Sequence, residues 1–202
     1  MSTIAQTLNQ IQELQSEIKK SGVESWFVRE LMNFTSVVFF QYLSHVVLEE
    51  SKERLGSLSQ KAAKYYELAG QPELFDEFTR FSNMGQFTCI WNAYEKYLRQ
   101  KYLVDYGSTK NKLINELFLD LIRRAEPLGS EKMKEEFEVM RSTRNSLHDG
   151  GVVRKSNSPC SGKFFGAAYR FYPGEPVTPL RVVEVAFVMW RHYQAFEAVS
   201  NP

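Results

Sequence analysis

The stretch RSTRNSLHDGG, residues 141–151, contains the side chains of this chain that are best suited to catalysis or anion binding. At about 100° per residue on a helix, Arg141, Arg144, Asn145 and His148 lie on one side. A guanidinium binds an anionic oxygen through paired donors, and an imidazole transfers a proton near neutral pH. The spacing therefore predicts a helix face suited to anion binding and acid–base chemistry.

Arg144 has the least ordinary position on this face. The helical wheel places it in the middle of an apolar stripe that includes Phe137 and Met140. Burying a guanidinium without a partner is costly. We therefore expect Arg144 either to meet a carboxylate from a neighbouring helix, with Glu95 as a candidate, or to open into a groove.

His148 is predicted to lie in the last turn of its helix, with Gly150 or Gly151 as a left-handed cap and Asp149 as a capping residue rather than a base. The negative end of the helix dipole favours imidazolium there. Arginine and histidine are, however, common in the last turn of any helix, and glycines end many helices. The pattern alone leaves open both a reaction centre and an ordinary capped helix end.

Positive charge is concentrated around this motif, although the whole chain has a formal charge of only +1. That balance excludes a protein that coats nucleic acid by overall charge. Between residues 139 and 170 there is one acidic residue, Asp149, against six basic ones. The basic residues are Arg141, Arg144, Arg154, Lys155, Lys163 and Arg170.

The motif resembles the signature of the HEPN superfamily, an arginine followed after four to six residues by a histidine. Arg141 and His148 are separated by six residues. IWNAYEKYLRQKYL at 90–103 is similar to the earlier helix of such proteins, and RNSLHDGGV followed by FGAAYRFYPGEPV and a last helix resembles one branch of them. The resemblance covers roughly residues 75–200.

The resemblance implies an endoribonuclease that needs neither a metal ion nor a cofactor. Arg141 and His148 would be catalytic: His148 would move a proton as a ribose 2′-hydroxyl attacks the adjacent phosphate, and Arg141 would hold the resulting charge. Arg144 and Asn145 would be auxiliary residues.

The resemblance also implies RNA as a partner and a homodimer in which two motif helices face each other across a cleft. A toxin or defence setting follows, in which an antitoxin or another protein is a further expected partner. Flanking RNA phosphates would be bound by Arg154, Lys155, Lys163 and Arg170, with binding that weakens as salt rises.

Ser142 departs from the family pattern, because active members usually have Asn, Asp or His after the arginine. Reading the pattern from Arg144 and Asn145 instead leaves only three residues before His148. The alternative function is therefore a catalytically silent HEPN-like module that binds RNA, a nucleotide or a protein partner.

The elements that position the motif are predicted to be mainly α: a HEPN-like helical bundle with a small β-hairpin or irregular insertion, at about 152–177, before the last helix. Gly85 is expected to separate two helices. The predicted helices cover about 4–18, 24–55, 58–68, 72–84, 86–103, 109–125, 130–148 and 179–199.

The whole chain is predicted to form one compact domain. Residues 1–70 supply N-terminal helices that extend the bundle, and residues 71–202 form the HEPN-like core. The first helix has a narrow apolar stripe from Ile4 to Ile18, which suits a partner helix, including one from a second protomer.

Several other classes of site are not supported by the residue pattern. Cys89 and Cys160 are too few and too far apart for a disulfide framework or a zinc site. The apolar stretch at 34–48 is shorter than the ~20 residues of a membrane span, and no signal peptide is apparent. We expect a cytoplasmic protein without a membrane partner.

Two other polar features are interpreted as structural. His45 and His192 are single imidazoles on apolar helices, and we expect both to be satisfied structural groups. Glu95 and Arg99 are four residues apart, which favours a surface ion pair on a helix.

Overall fold

The protein is described by a computed structural model over residues 4–55, 72–109, 111–125, 130–154 and 159–199. This part of the chain is mainly α and contains six helices and one two-stranded hairpin. The helices are α1 (Ile4–Ser21), α2 (Trp26–Leu55), α3 (Pro72–Tyr106), α4 (Ile114–Ala125), α5 (Ser130–His148) and α6 (Val182–Ala198); the strands are β1 (Cys160–Phe164) and β2 (Ala167–Phe171). The helical class and the hairpin before the last helix are confirmed.

The last helix, α6, is the centre of the bundle and contacts all five other helices of the described chain. Aromatic rings fill the space around it. Phe118 of α4 and Phe137 of α5 stack with ring centroids 3.8 Å apart, and Trp91 of α3 lies 5.7 Å from Phe137. Burial of these large apolar side chains supplies most of the driving force for the fold.

The apolar stripe of α1 is buried within its own chain. Ile11, Leu14 and Ile18 are at most 3% exposed, and α1 packs against α2 and α6. Trp190 of α6 donates a hydrogen bond from Nε1 to Glu17 of α1 at 2.8 Å. The prediction that this stripe suits a partner helix is confirmed, and its partner helices belong to the same chain rather than to a second protomer.

Gly85 does not interrupt α3, which runs unbroken from Pro72 to Tyr106. The predicted break was wrong because a glycine inside a helix costs only about 1 kcal/mol. Core packing on the C-terminal side, through Phe87 and Ile90, compensates for it. Pro72 is the first residue of the helix, where its missing N–H does no harm.

The helix predicted over 109–125 begins later, at Ile114. Asn111 has a φ of 53°, a conformation that no α-helix accommodates. The Glu116 carboxylate accepts the Leu113 backbone N–H at 2.8 Å and caps the first turn. The helix predicted over 58–68 lies outside the described residues.

The hairpin packs one face against α5. Strands β1 and β2 are antiparallel, with Cys160 opposite Phe171 and Gly162 opposite Tyr169. A Cβ atom on Gly162 would lie 3.0 Å from Val139 Cγ2 and 3.3 Å from the Glu135 carbonyl oxygen. Glycine at this position lets the strand approach the helix backbone closely.

The base of this insertion is closed by backbone pairing. Val153 donates to the Glu175 carbonyl at 2.9 Å, and Gly174 donates to the Val153 carbonyl at 2.8 Å. Val152 and Pro176 form an isolated bridge. The chain therefore leaves the bundle and returns to it at the C-terminal end of α5.

None of the helices in these ranges has the length and apolar character needed to cross a bilayer.

Candidate functional site

Helix α5 carries the motif and ends at His148, as the sequence predicted. Gly150 and Gly151 have φ angles of 73° and 83°. The Gly151 N–H donates to the Ser146 carbonyl at 2.9 Å, and the Gly150 N–H donates to the Leu147 carbonyl at 3.3 Å. This pair of bonds is a Schellman cap, which fixes where the helix ends and holds His148 in its last turn.

Arg141 is engaged by a carboxylate one turn earlier on the same helix. Its Nη2 donates to Glu138 Oε1 at 2.6 Å and its Nε donates to Glu138 Oε2 at 3.0 Å. The side chain keeps 32% of its exposure. The hydrogen bond to Glu138 raises the pKa of Arg141, against the opposing effect of partial burial.

Ser142 extends this cluster toward the hairpin. Its hydroxyl donates to Glu138 Oε1 at 3.3 Å and lies 3.4 Å from Cys160 Sγ. Sequence reasoning identified neither Glu138 nor Cys160 as a neighbour of the motif. The spacing of three residues between Glu138 and Arg141 was the available signal for the ion pair.

Arg144 is only partly partnered. Its Nη1 donates to Asn145 Oδ1 at 3.3 Å. Its Nε is buried and meets no hydrogen-bond acceptor among the described residues. Glu95, a candidate partner for Arg144, instead binds Arg99 at 2.8 Å, which confirms the prediction of a surface pair between Glu95 and Arg99.

His148 is exposed to solvent at the end of α5. Its neighbour Asp149 forms a two-bond ion pair with Arg154, from Nε at 3.1 Å and from Nη2 at 3.0 Å. This bond from Arg154 lowers the pKa of Asp149. The Asp149 side chain therefore binds Arg154 in the segment after the helix. The helix cap is formed by the backbone N–H groups of Gly150 and Gly151, without the Asp149 side chain.

The remaining predicted phosphate ligands lie apart from the α5 face. Lys163 and Arg170 are exposed, and the strand register pairs them with Ala168 and Ser161 on the outer face of the hairpin. The opposite face, with Gly162, packs on α5. Lys155 lies outside the described residues.

A second polar cluster, which the sequence did not predict, is buried in the middle of α5. Glu136 is 2% exposed; its Oε1 accepts a 2.7 Å bond from Arg191 Nη2, and its Oε2 lies 3.6 Å from His192 Nε2. Nδ1 of His192 is 2.6 Å from the Tyr94 hydroxyl. His192 is completely buried, as expected of a structural group, but the expectation that it is fully satisfied is wrong for Nε2, which has no hydrogen-bond partner among the described residues.

Burial and pairing act in opposite directions on this cluster. Burial raises the pKa of Glu136, but His192 and Arg191 outweigh it and hold that pKa below its usual value. Burial lowers the pKa of His192, and Glu136 opposes this shift only in part. The cluster therefore favours a charged carboxylate beside a neutral imidazole.

Within the described ranges, no group of three or more His, Cys, Asp or Glu side chains is arranged to hold a metal ion. Comparisons with protein-family models, with curated proteins and with solved structures returned no match to this chain.

Proposed function

We propose that the protein is a HEPN-type endoribonuclease that works as a homodimer and without a metal ion. The observation that carries the proposal is the exposed His148 at a capped helix end. Helix periodicity puts Arg141 and Arg144 on the same face. An accessible imidazole beside guanidinium groups is the minimum equipment for cleaving a phosphodiester by acid–base catalysis.

In the proposed reaction, the ribose 2′-hydroxyl attacks the adjacent phosphorus atom and loses its proton to His148 or to an equivalent base. The bond from phosphorus to the 5′-oxygen breaks, and this oxygen takes up a proton. The products are a 2′,3′-cyclic phosphate and a 5′-hydroxyl. Arginine of the motif face stabilises the charge on the phosphorane through fixed donors.

The homodimer and the RNA path are parts of the same proposal. Two α5 ends facing each other would form one cleft for the scissile phosphate. Lys163 and Arg170, on the outer face of the hairpin, would bind phosphates further along the strand, together with Arg154 and Lys155. Arg154 would exchange its bond to Asp149 for a phosphate, so binding should be sensitive to salt.

The test is cleavage of mixed RNA in excess chelator by the wild type, by His148→Ala and by the double variant Arg141→Ala/Arg144→Ala. We expect each change to reduce the rate by about a hundredfold or more, because general acid–base catalysis contributes about 10²–10⁴ and one donor that stabilises the transition-state charge contributes about 10²–10³. Arg123→Ala is the control, since Arg123 is 73% exposed on α4. Cleavage that persists in His148→Ala would refute the proposed reaction.

The second candidate function is a catalytically silent module that binds RNA, a nucleotide or a protein. The Arg141–Glu138 pair favours it, because a carboxylate already neutralises the guanidinium to which the family resemblance gives the catalytic role. This candidate predicts salt-sensitive RNA binding without strand cleavage in the same assay.

A further inference from the structure

We propose that Arg144, rather than Arg141, makes the direct contact with the RNA phosphate, and that Arg141 is a positioning residue held by Glu138. This inference rests on the proposed function, since it specifies which arginine of the motif face binds the anion. It departs from the family pattern, which gives the role to the arginine at 141.

Arg141 is poorly prepared to receive a phosphate. Both oxygens of Glu138 occupy the Nε–Nη2 edge of its guanidinium, and Ser142 donates to the same carboxylate. A phosphate replacing Glu138 would have to break two charge-assisted bonds and would then lie beside the displaced carboxylate. Like charges at such short range repel each other.

Arg144 has the opposite character. No carboxylate of the described chain forms an ion pair with it, and its single hydrogen bond there is the 3.3 Å contact with Asn145. Its buried Nε has no acceptor. A buried donor without a partner is costly, so a phosphate that draws the half-buried guanidinium outward would give Nε an acceptor that the described structure does not supply.

The helix geometry also favours Arg144. Residues four apart are neighbours on a helix surface, so Arg144 and His148 are adjacent along the axis, with a rise of about 6 Å between them. Arg141 is about 10 Å from His148 along the axis. A single phosphate group bridges the closer pair more readily, and Asn145 holds one amino group of Arg144 in place.

The experiment measures binding and cleavage separately. Binding uses a fluorescent RNA 20-mer with 2′-O-methyl groups, which cannot undergo attack by the 2′-oxygen, titrated at several salt concentrations. Cleavage uses the same sequence with free 2′-hydroxyls. The variants are Arg144→Ala, Arg144→Lys, Arg141→Ala and Glu138→Gln, with Arg99→Ala as the matched control because Arg99 forms a similar helical pair with Glu95.

We expect Arg144→Ala to weaken binding roughly tenfold and to reduce the salt slope by about one unit, the loss of one phosphate contact. Arg144→Lys should restore the slope but only part of the affinity, because lysine lacks the Nε donor. Arg99→Ala should stay within about threefold of the wild type, and Arg141→Ala should keep the salt slope of the wild type, as expected for a residue without a phosphate contact.

The outcomes separate this inference from the proposed function. Cleavage and binding that depend on Arg141 but not on Arg144, or tighter binding by Glu138→Gln, overturn the inference and leave the nuclease standing. Binding that depends on Arg144 without any cleavage supports the phosphate contact and overturns the nuclease. A wild-type protein that neither binds nor cleaves overturns both. If Arg144→Ala does not fold, Arg144→Lys provides the test: a loss of affinity supports the contact between Arg144 and the phosphate, and unchanged affinity contradicts it.

Discussion

Charged side chains in the middle of α5 and at its C-terminal end differ in their burial and in their ion-pair partners. In the middle, Glu136 is buried and bonded to Arg191, with His192 beside it. At the end, Arg144 has a buried donor with no acceptor in the described structure, and His148 faces solvent. The same helix thus contains a buried carboxylate that is paired with an arginine, although the nearby His192 Nε2 has no hydrogen-bond partner in the described structure, and a guanidinium that has no carboxylate partner there.

The difference shows where to look for function on this surface. A buried charge that is paired within the chain has a role in the stability and specificity of the fold, and that role explains its presence. The polar groups at the accessible end of α5 have no partner that explains them within the described chain, and the proposed phosphate ligand would supply one. Substitutions in the two parts of α5 test this contrast.

The largest effect is expected for Glu136→Ala, which would leave Arg191 and His192 facing an empty position. We expect a loss of about 2–3 kcal/mol in the free energy of unfolding, below the 3–5 kcal/mol of a fully buried pair because Arg191 is 38% exposed. The matched change at the other end, Glu138→Ala, should cost about 0.5 kcal/mol or less. Urea denaturation followed by circular dichroism measures both; equal losses would contradict the contrast.

Gly162→Ala tests how closely the hairpin approaches the middle of α5. The new methyl group would press on Val139 and on the Glu135 carbonyl, and overpacking of this kind costs about 1–2 kcal/mol. Gly85→Ala is the control, because an added Cβ there meets nothing within 4 Å. That substitution should stabilise α3 by about 0.5–1 kcal/mol. Thermal denaturation of the two variants should show shifts of opposite sign.

His192 should make stability depend on pH in the mildly acidic range. Its folded-state pKa lies below the usual 6.5 because of burial, so the unfolded chain binds the proton more readily. Its contribution to stability is therefore present above about pH 6.5 and is lost as the pH falls below that value, with a slope of at most about 1.4 kcal/mol per pH unit. His192→Gln should remove this part of the slope in urea titrations from pH 7.5 to 5, and an unchanged slope would show that another group is responsible.

A smaller effect than those of Glu136→Ala and Gly162→Ala is expected at the helix cap. Gly150 has a φ of 73°, and this left-handed backbone conformation costs a residue with a Cβ atom about 1 kcal/mol of conformational energy. Gly150→Ala should lower the unfolding free energy by that amount, and Gly150→Asn by roughly half as much, because asparagine tolerates this conformation. Calorimetry of the two variants measures the difference; identical losses would mean that the strain is not in the backbone.

Sequence reasoning succeeded where local signals are strong. The bounds of α5 follow from Ser130 at its start and the paired glycines after His148. The helical wheel placed Arg144 on an apolar stripe, and the structure buries its Nε. Periodicity and capping rules predict these features because they depend on residues that are close together in the chain.

Features that depend on distant residues were not predictable in this way. The contact of Glu136 with Arg191 and His192 joins two helices that are separated by the whole hairpin. The continuation of α3 through Gly85 depends on core packing that outweighs a local preference. The start of α4 at Ile114 depends on a left-handed Asn111 that no periodic pattern reveals.

The paired backbone at the base of the insertion has a consequence for how this protein can change. Because residues 151–153 and 174–177 are bonded to each other, the excursion between them begins and ends at nearly the same point. Segments anchored in this manner tolerate changes of length without disturbing their scaffold. A change of length within this excursion should therefore leave the end of α5 in place, provided that the buried Phe164 and Phe171 keep their contacts with the core.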